Sequence, residues 1–121
     1  RDSRMVDQSL KDPLCSFQPT VSMFRDMMTG LQFIARPANL SKMDLDTPIY
    51  FFSGDQDPVG SMGKGVRKVE AMFRAAGCRD VTVRLYPGGR HEMLNEVNRQ
   101  EVLADLLSWL DARLPEKSEA T

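Results

Sequence analysis

The period of the apolar positions changes several times along the chain, and each change marks an element. Residues 1–20 are polar, with Pro13 and Pro19 as breakers. They predict a short helix over about residues 4–11, then an extended stretch, because a residue preceding proline avoids the helical region. From Thr20, Met23, Phe24, Met27, Met28, Leu31 and Ile34 recur three or four apart. This spacing predicts a helix capped by Thr20 that stops near Arg36-Pro37. Residues 38–47 read as a connector. Ile49, Tyr50, Phe51 and Phe52 then form an unbroken apolar run between Pro48 and Ser53-Gly54. A run of that length between turn signals fits a strand buried on both faces, as in parallel sheets.

Beyond the loop from Gly54 to Gly65, Val66, Val69, Phe73 and Ala76 mark a second long helix, with Gly77 at its C-terminal end. Val81, Val83 and Leu85 alternate with Thr82, Arg84 and Tyr86, the signature of a half-exposed strand, which Pro87-Gly88-Gly89 ends. Asn98 with Glu101 three residues on predicts a capping box opening the last helix, whose apolar stripe is Val102, Leu103, Leu106, Leu107, Leu110 and Leu114. The tail 115–121 is expected to fray. Strand, helix, strand, helix after residue 48 is a right-handed βαβ unit with a covering helix, so the class is α/β. Two parallel strands leave an unpaired edge beside a strand apolar on both faces. The run Ile49–Ser53 therefore calls for a neighbour, either from elsewhere in the same protein or from a second copy.

Composition narrows the function classes. With 121 residues the chain is one domain in length. It has 16 Lys and Arg against 17 Asp and Glu, a formal charge of −1. That gives no basic field for phosphate neutralisation, so nucleic-acid binding is not expected. No apolar run reaches the ~20 residues of a membrane span, and no signal peptide is visible. Two distant cysteines, Cys15 and Cys78, make no disulfide framework, so a cytoplasmic location is the expectation. Arg1 at the start, in place of Met, leads us to expect a piece of a longer protein.

Open α/β sheets carry their ligands at the carboxyl ends of the strands. The two strands end in Gly54-Asp55-Gln56-Asp57-Pro58 and in Pro87-Gly88-Gly89-Arg90-His91-Glu92. An aspartate after a strand is commonly a turn former, and a histidine after two glycines commonly a loop residue. Placed together at the ends of successive parallel strands, Asp57 and His91 instead suit a dyad in which the carboxylate orients the imidazole for proton transfer. His91 among Glu92, Asn95 and Glu96 reads as a hydrogen-bonded loop rather than a metal site, since one histidine with scattered carboxylates is a poor ligand set. The segment Gly60-Ser61-Met62-Gly63-Lys64-Gly65 fails the phosphate-loop pattern, having Pro58 where the first glycine belongs and Gly65 where Ser or Thr should follow the lysine.

The stretches SGDQDPVGSMGKGV and YPGGRHEMLNE resemble the C-terminal motifs of α/β-hydrolases, in the branch of monoglyceride lipases, lysophospholipases and related serine aminopeptidases. DPLCSFQPTVSMFRDMMTGL resembles part of the helical cap that this branch inserts before its last strands. The resemblance implies part of a cap or lid with its connector over residues 1–46, and the C-terminal part of the hydrolase core over 47–121. On that basis the strands are the last two of the family's parallel sheet. Asp57 is then the triad acid and His91 the general base, in the family's chain order.

The same resemblance implies hydrolysis of carboxylic, lipid-like esters with no cofactor. Met23, Met27 and Met28 have two readings, packing of a cap helix or the lining of an acyl slot above the triad. No G-x-S-x-G elbow is present, because no two glycines stand four apart. The nucleophile and oxyanion hole are therefore expected upstream, and the chain by itself is expected to be inactive. Cys15 reads as a packed thiol of the cap and Cys78 as structural. The rival readings are a non-enzymatic module that associates through its open sheet edge, and a peptidase of the same fold.

Overall fold

The computed structural model describes residues 1–15 and 17–114. The tail expected to fray, 115–121, lies outside the described residues. Helix α1 (Ser3–Lys11) starts at Asp2, whose carboxylate accepts the Arg4 N–H at 3.1 Å. Helix α2 (Val21–Ile34) starts at Thr20, whose hydroxyl accepts the Met23 N–H at 3.2 Å. Each side chain satisfies a donor that the first helical turn leaves free. The expected connector 38–47 begins within a short helix, α3 (Pro37–Leu40). Pro37 at its first position needs no N–H partner and brings a pre-set φ.

Strand β1 (Ile49–Gly54), helix α4 (Lys64–Ala75) and strand β2 (Val81–Tyr86) follow in the predicted order. The strands are parallel, in register from Ile49 beside Val81 to Gly54 beside Tyr86. Alternation assigns Ile49, Phe51 and Ser53 to one face and Tyr50 and Phe52 to the other. Helix α4 covers the first face, where Phe73 meets Phe51 edge to face at 5.3 Å. Among the described residues β1 pairs with β2 alone. Its residues Ile49 to Phe52 are consequently half-buried, rather than buried on both faces as the apolar run predicts.

Helix α5 (Arg99–Asp111) lies over the second face through only part of the expected stripe. Val102 is buried, the Tyr86 hydroxyl donates to Asp105 at 2.8 Å, and Trp109 stacks on Tyr50 at 5.3 Å while donating to Thr82 at 3.0 Å. Arg113, just past the helix, lies over the Trp109 ring and pairs with Asp80 at 2.6 and 2.8 Å. Leu103, Leu107, Leu110 and Leu114 are exposed. The polar side chains win the sheet-facing side because each finds a fixed partner there, which a leucine has no means to bind.

The predicted capping box does not form. Asn98 adopts φ −99° and ψ 26°, away from the extended geometry a capping side chain needs, and its amide binds the Glu101 carboxylate at 3.0 Å instead. The best-buried cluster, Tyr86, Met93 and Val102 with Phe52 against it, gathers where β2, the last loop and α5 meet. It supports the ends of both strands from beneath.

Candidate functional site

Two turns leave the carboxyl ends of β1 and β2 and touch one another. A Cβ on Gly54 would fall 1.9 Å from the carbonyl carbon and oxygen of Gly89, so the backbones meet where no side chain fits. Hydrogen bonds lace the contact. The Gly54 N–H donates to the Arg90 carbonyl at 3.2 Å, the Gln56 N–H to Gly89 at 2.9 Å, and the Gly88 N–H to the Asp55 carboxylate at 2.7 Å.

From these turns Asp57 and His91 converge, with Nδ1 of His91 3.0 Å from Oδ2 of Asp57. Asp57 is buried at 3% exposure, whereas the His91 side chain is 61% exposed. The other carboxylate oxygen accepts the Val59 N–H at 2.9 Å, and the Ser53 hydroxyl donates to Oδ2 at 3.3 Å. Burial alone pushes the Asp57 carboxyl up. Hydrogen bonding from His91, then from the backbone N–H groups of Val59 and Gly60, outweighs it and holds the group below its ordinary value. Asp57 is therefore ionised near neutrality. An ionised carboxylate only accepts, so the proton of the neutral imidazole sits on Nδ1 and leaves Nε2 as a base.

The acid turn is tightly wound. Ser61, Met62 and Gly63 have φ of 52°, 55° and 81°, all left-handed. The Met62 N–H closes the turn on the Asp57 carbonyl at 2.8 Å. A Cβ on Gly60 would come within 3.0 Å of Asp57 Oδ2, so a larger residue there would press on the carboxylate.

The base turn is held by a second buried carboxylate. Glu96, 2% exposed, accepts the Arg90 N–H at 3.0 Å, the Val97 N–H at 3.1 Å and Nε of Arg1 at 2.9 Å. Burial would raise its pKa; the Val97 N–H, Arg1 and the Arg90 N–H together bring it below the usual value. Asp2, also buried, pairs with Arg99 at 3.2 Å. The start of α1 is thereby fastened to the last loop. Glu92 is taken up by the Asn95 amide at 2.6 Å, in keeping with a hydrogen-bonded loop.

A cleft of about 480 Å³ opens beside His91. Met5, Val6 and Leu10 of α1 line one side; Arg90, His91 and Glu92 line the other, and Cys15 and Asp12 lie at its margin. Met23, Met27 and Met28 stand elsewhere, half-exposed on α2 and outside the lining of this cleft. Sequence reasoning did not single out α1 as a wall of the site. Its apolar residues are few, and the loop they face across the cleft, Arg90–Glu92, is remote in sequence. Ser53 as a donor to the acid was equally unmarked, since only the turn brings it back onto Asp57. Cys15 shares the cleft with His91, which its place in a polar, proline-flanked segment did not announce.

Comparison with known proteins found likenesses in both sequence family and structure. Residues 1–98 match the family described as serine aminopeptidase, S33. The structure is similar to that of a highly thermostable carboxyl esterase from Bacillus coagulans, solved in complex with glycerol, with a TM-score of 0.82 and 31% sequence identity. The match covers 92% of this chain and 36% of the esterase, so the chain spans about a third of that protein's length.

Proposed function

Because the chain belongs to the serine aminopeptidase S33 family of α/β-hydrolases, we propose that it supplies the acid and the base of a Ser–His–Asp triad that cleaves carboxylic esters. The supporting observation is the 3.0 Å approach of His91 Nδ1 to the buried Asp57 at the ends of adjoining parallel strands. In this reading the nucleophile is a serine outside residues 1–121. As its oxygen bonds to the substrate carbonyl carbon, His91 Nε2 takes the hydroxyl proton, then returns it to the leaving alkoxide as the ester C–O bond breaks. Water repeats the cycle on the acyl-enzyme and regenerates the serine. Asp57 stays ionised throughout and stabilises the imidazolium. The cleft under α1 receives one arm of the substrate, while the α2 methionines, outside that cleft, offer a separate apolar surface suited to a lipid-like acyl chain.

Two experiments test this. In the protein that joins this chain to its serine, Asp57→Asn and His91→Ala should each lower kcat by roughly 10³-fold or more on a short-chain nitrophenyl ester. Turnover retained in either variant would overturn the assignment. The 121 residues alone should not hydrolyse the ester, and clear turnover would place the nucleophile within the chain, with Cys15 the first residue to replace. The family's description favours a second reading, removal of an N-terminal amino acid, for which Asp12 and Glu92 at the cleft are available to an ammonium group. Parallel rates on an aminoacyl nitroanilide and on the ester separate the two.

A further inference from the structure

Glu96 is a carboxylate that the proton transfers do not use, yet it is almost fully buried and accepts three donors. Burying a charge is unfavourable unless hydrogen bonds replace its lost water, so a group in this position constrains whatever it binds. One of its partners is the N–H of Arg90, the residue directly before His91. The carbonyl of that residue is held from the opposite side by the Gly54 N–H at 3.2 Å. The peptide groups entering His91 are thus clamped between a charge and the end of β1. A third donor, Arg1, leads to α1, which walls the cleft.

We propose that Glu96 is a positioning residue for the base: through Arg90 it fixes the backbone from which the His91 ring reaches Asp57, and through Arg1 it ties that alignment to the start of α1. The proposal rests on the dyad reading above and adds a role to it. The hydrogen bonds of Glu96 run to Arg1, Arg90 and Val97 and not to Asp57 or His91, so it acts by where it holds the loop. Loss of the carboxylate frees the Arg90 N–H to turn toward water, and the Nδ1–H to Asp57 bond lengthens or breaks.

His91 is the only histidine in the chain, so its ring nitrogens are read without ambiguity by ¹⁵N NMR. In the full 121-residue chain above the imidazole titration, the ring should show the Nδ1–H tautomer. Glu96→Leu, which keeps bulk but removes every acceptor, should shift the ring toward the Nε2–H form while the fluorescence of Trp109, the single tryptophan, stays unchanged. In Glu96→Gln an amide oxygen accepts less strongly, and an NH₂ faces donors. The tautomer should then move part of the way, and the Arg90 amide should exchange roughly 10–100-fold faster while the Gln56 amide keeps its rate. Glu92→Gln in the same loop should change neither reading. If Glu96→Leu loses the Trp109 signal, Glu96→Gln decides by itself: wild-type exchange at Arg90 together with a wild-type tautomer overturns the proposal. Asp57→Asn separates the two failures. If it leaves the tautomer unaltered, the dyad reading is wrong; if it shifts the tautomer while the Glu96 variants do not, only the positioning role is wrong.

Discussion

At the scale of single residues, the site depends as much on atoms that are missing as on those present. Gly54 and Gly89 lie backbone to backbone, and Gly54→Ala would place a methyl group inside the Gly89 carbonyl. Because backbone has no flexible end to move aside, the substitution should cost about 3 kcal/mol or more, seen as a lower urea midpoint at unchanged slope. Gly30, with nothing within 4 Å of a built Cβ, is the control, and Gly30→Ala should be neutral or slightly stabilising. The pairing of Asp57 with His91 was legible in the sequence because each lies in the turn after a strand, and strand ends of an open α/β sheet share one edge. Glu96 was legible only as part of a hydrogen-bonded loop. Its tie to Arg1 spans 95 positions, and no local pattern reports such a contact.

At the scale of elements, the strands, α1, α2 and α4 follow from periodicity and from the residues at their ends. The face of α5 does not. Apolar spacing finds the buried Val102 but runs on to Leu103, Leu107 and Leu110, which are exposed. The sheet-facing line is marked by hydrogen-bonding groups at Asp105 and Trp109, which apolar periodicity ignores. Trp109→Ala should therefore destabilise by roughly 2–3 kcal/mol, through lost stacking on Tyr50 and an unpaired Thr82. Leu107→Ala, at a side chain 58% exposed, should stay within about 0.5 kcal/mol. Thermal melts of both variants test which face is bound. Equal losses would mean that the leucines are also covered.

At the scale of the whole molecule, two properties stand out, its carboxylates and its uncovered apolar surface. The carboxyls of Asp2, Asp57, Glu70, Asp80 and Glu96 all lie below their ordinary values in the folded chain. The unfolded chain binds protons at these groups first. Their contribution to stability is therefore complete above the unfolded values near pH ~4, and is lost as pH falls through the folded ones. The melting temperature should be level between about pH 7 and 5 and drop steeply below about pH 4. Glu96→Gln should soften that drop.

The apolar surface includes Phe24, Leu31, Phe33 and Ile34 of α2 together with the leucines of α5. Such surface on a chain of this size favours association, so sedimentation should show concentration-dependent assembly of the isolated 121 residues. A monodisperse monomer up to about 100 µM would contradict this.

The clasp from Arg1 and Asp2 to Glu96 and Arg99 also sets a schedule. It closes a loop roughly threefold longer than the one between the two strands, at an added entropic cost of about 1 kcal/mol. The strands and α4 should consequently assemble early and the clasp late, with the Arg90 and Val97 amides gaining protection after those of the sheet in pulse-labelled exchange. Until Arg1 and Asp2 reach the last loop, Glu96 and Arg99 lack these partners, so on the positioning role proposed for Glu96 the aim of the imidazole is among the last features these residues acquire.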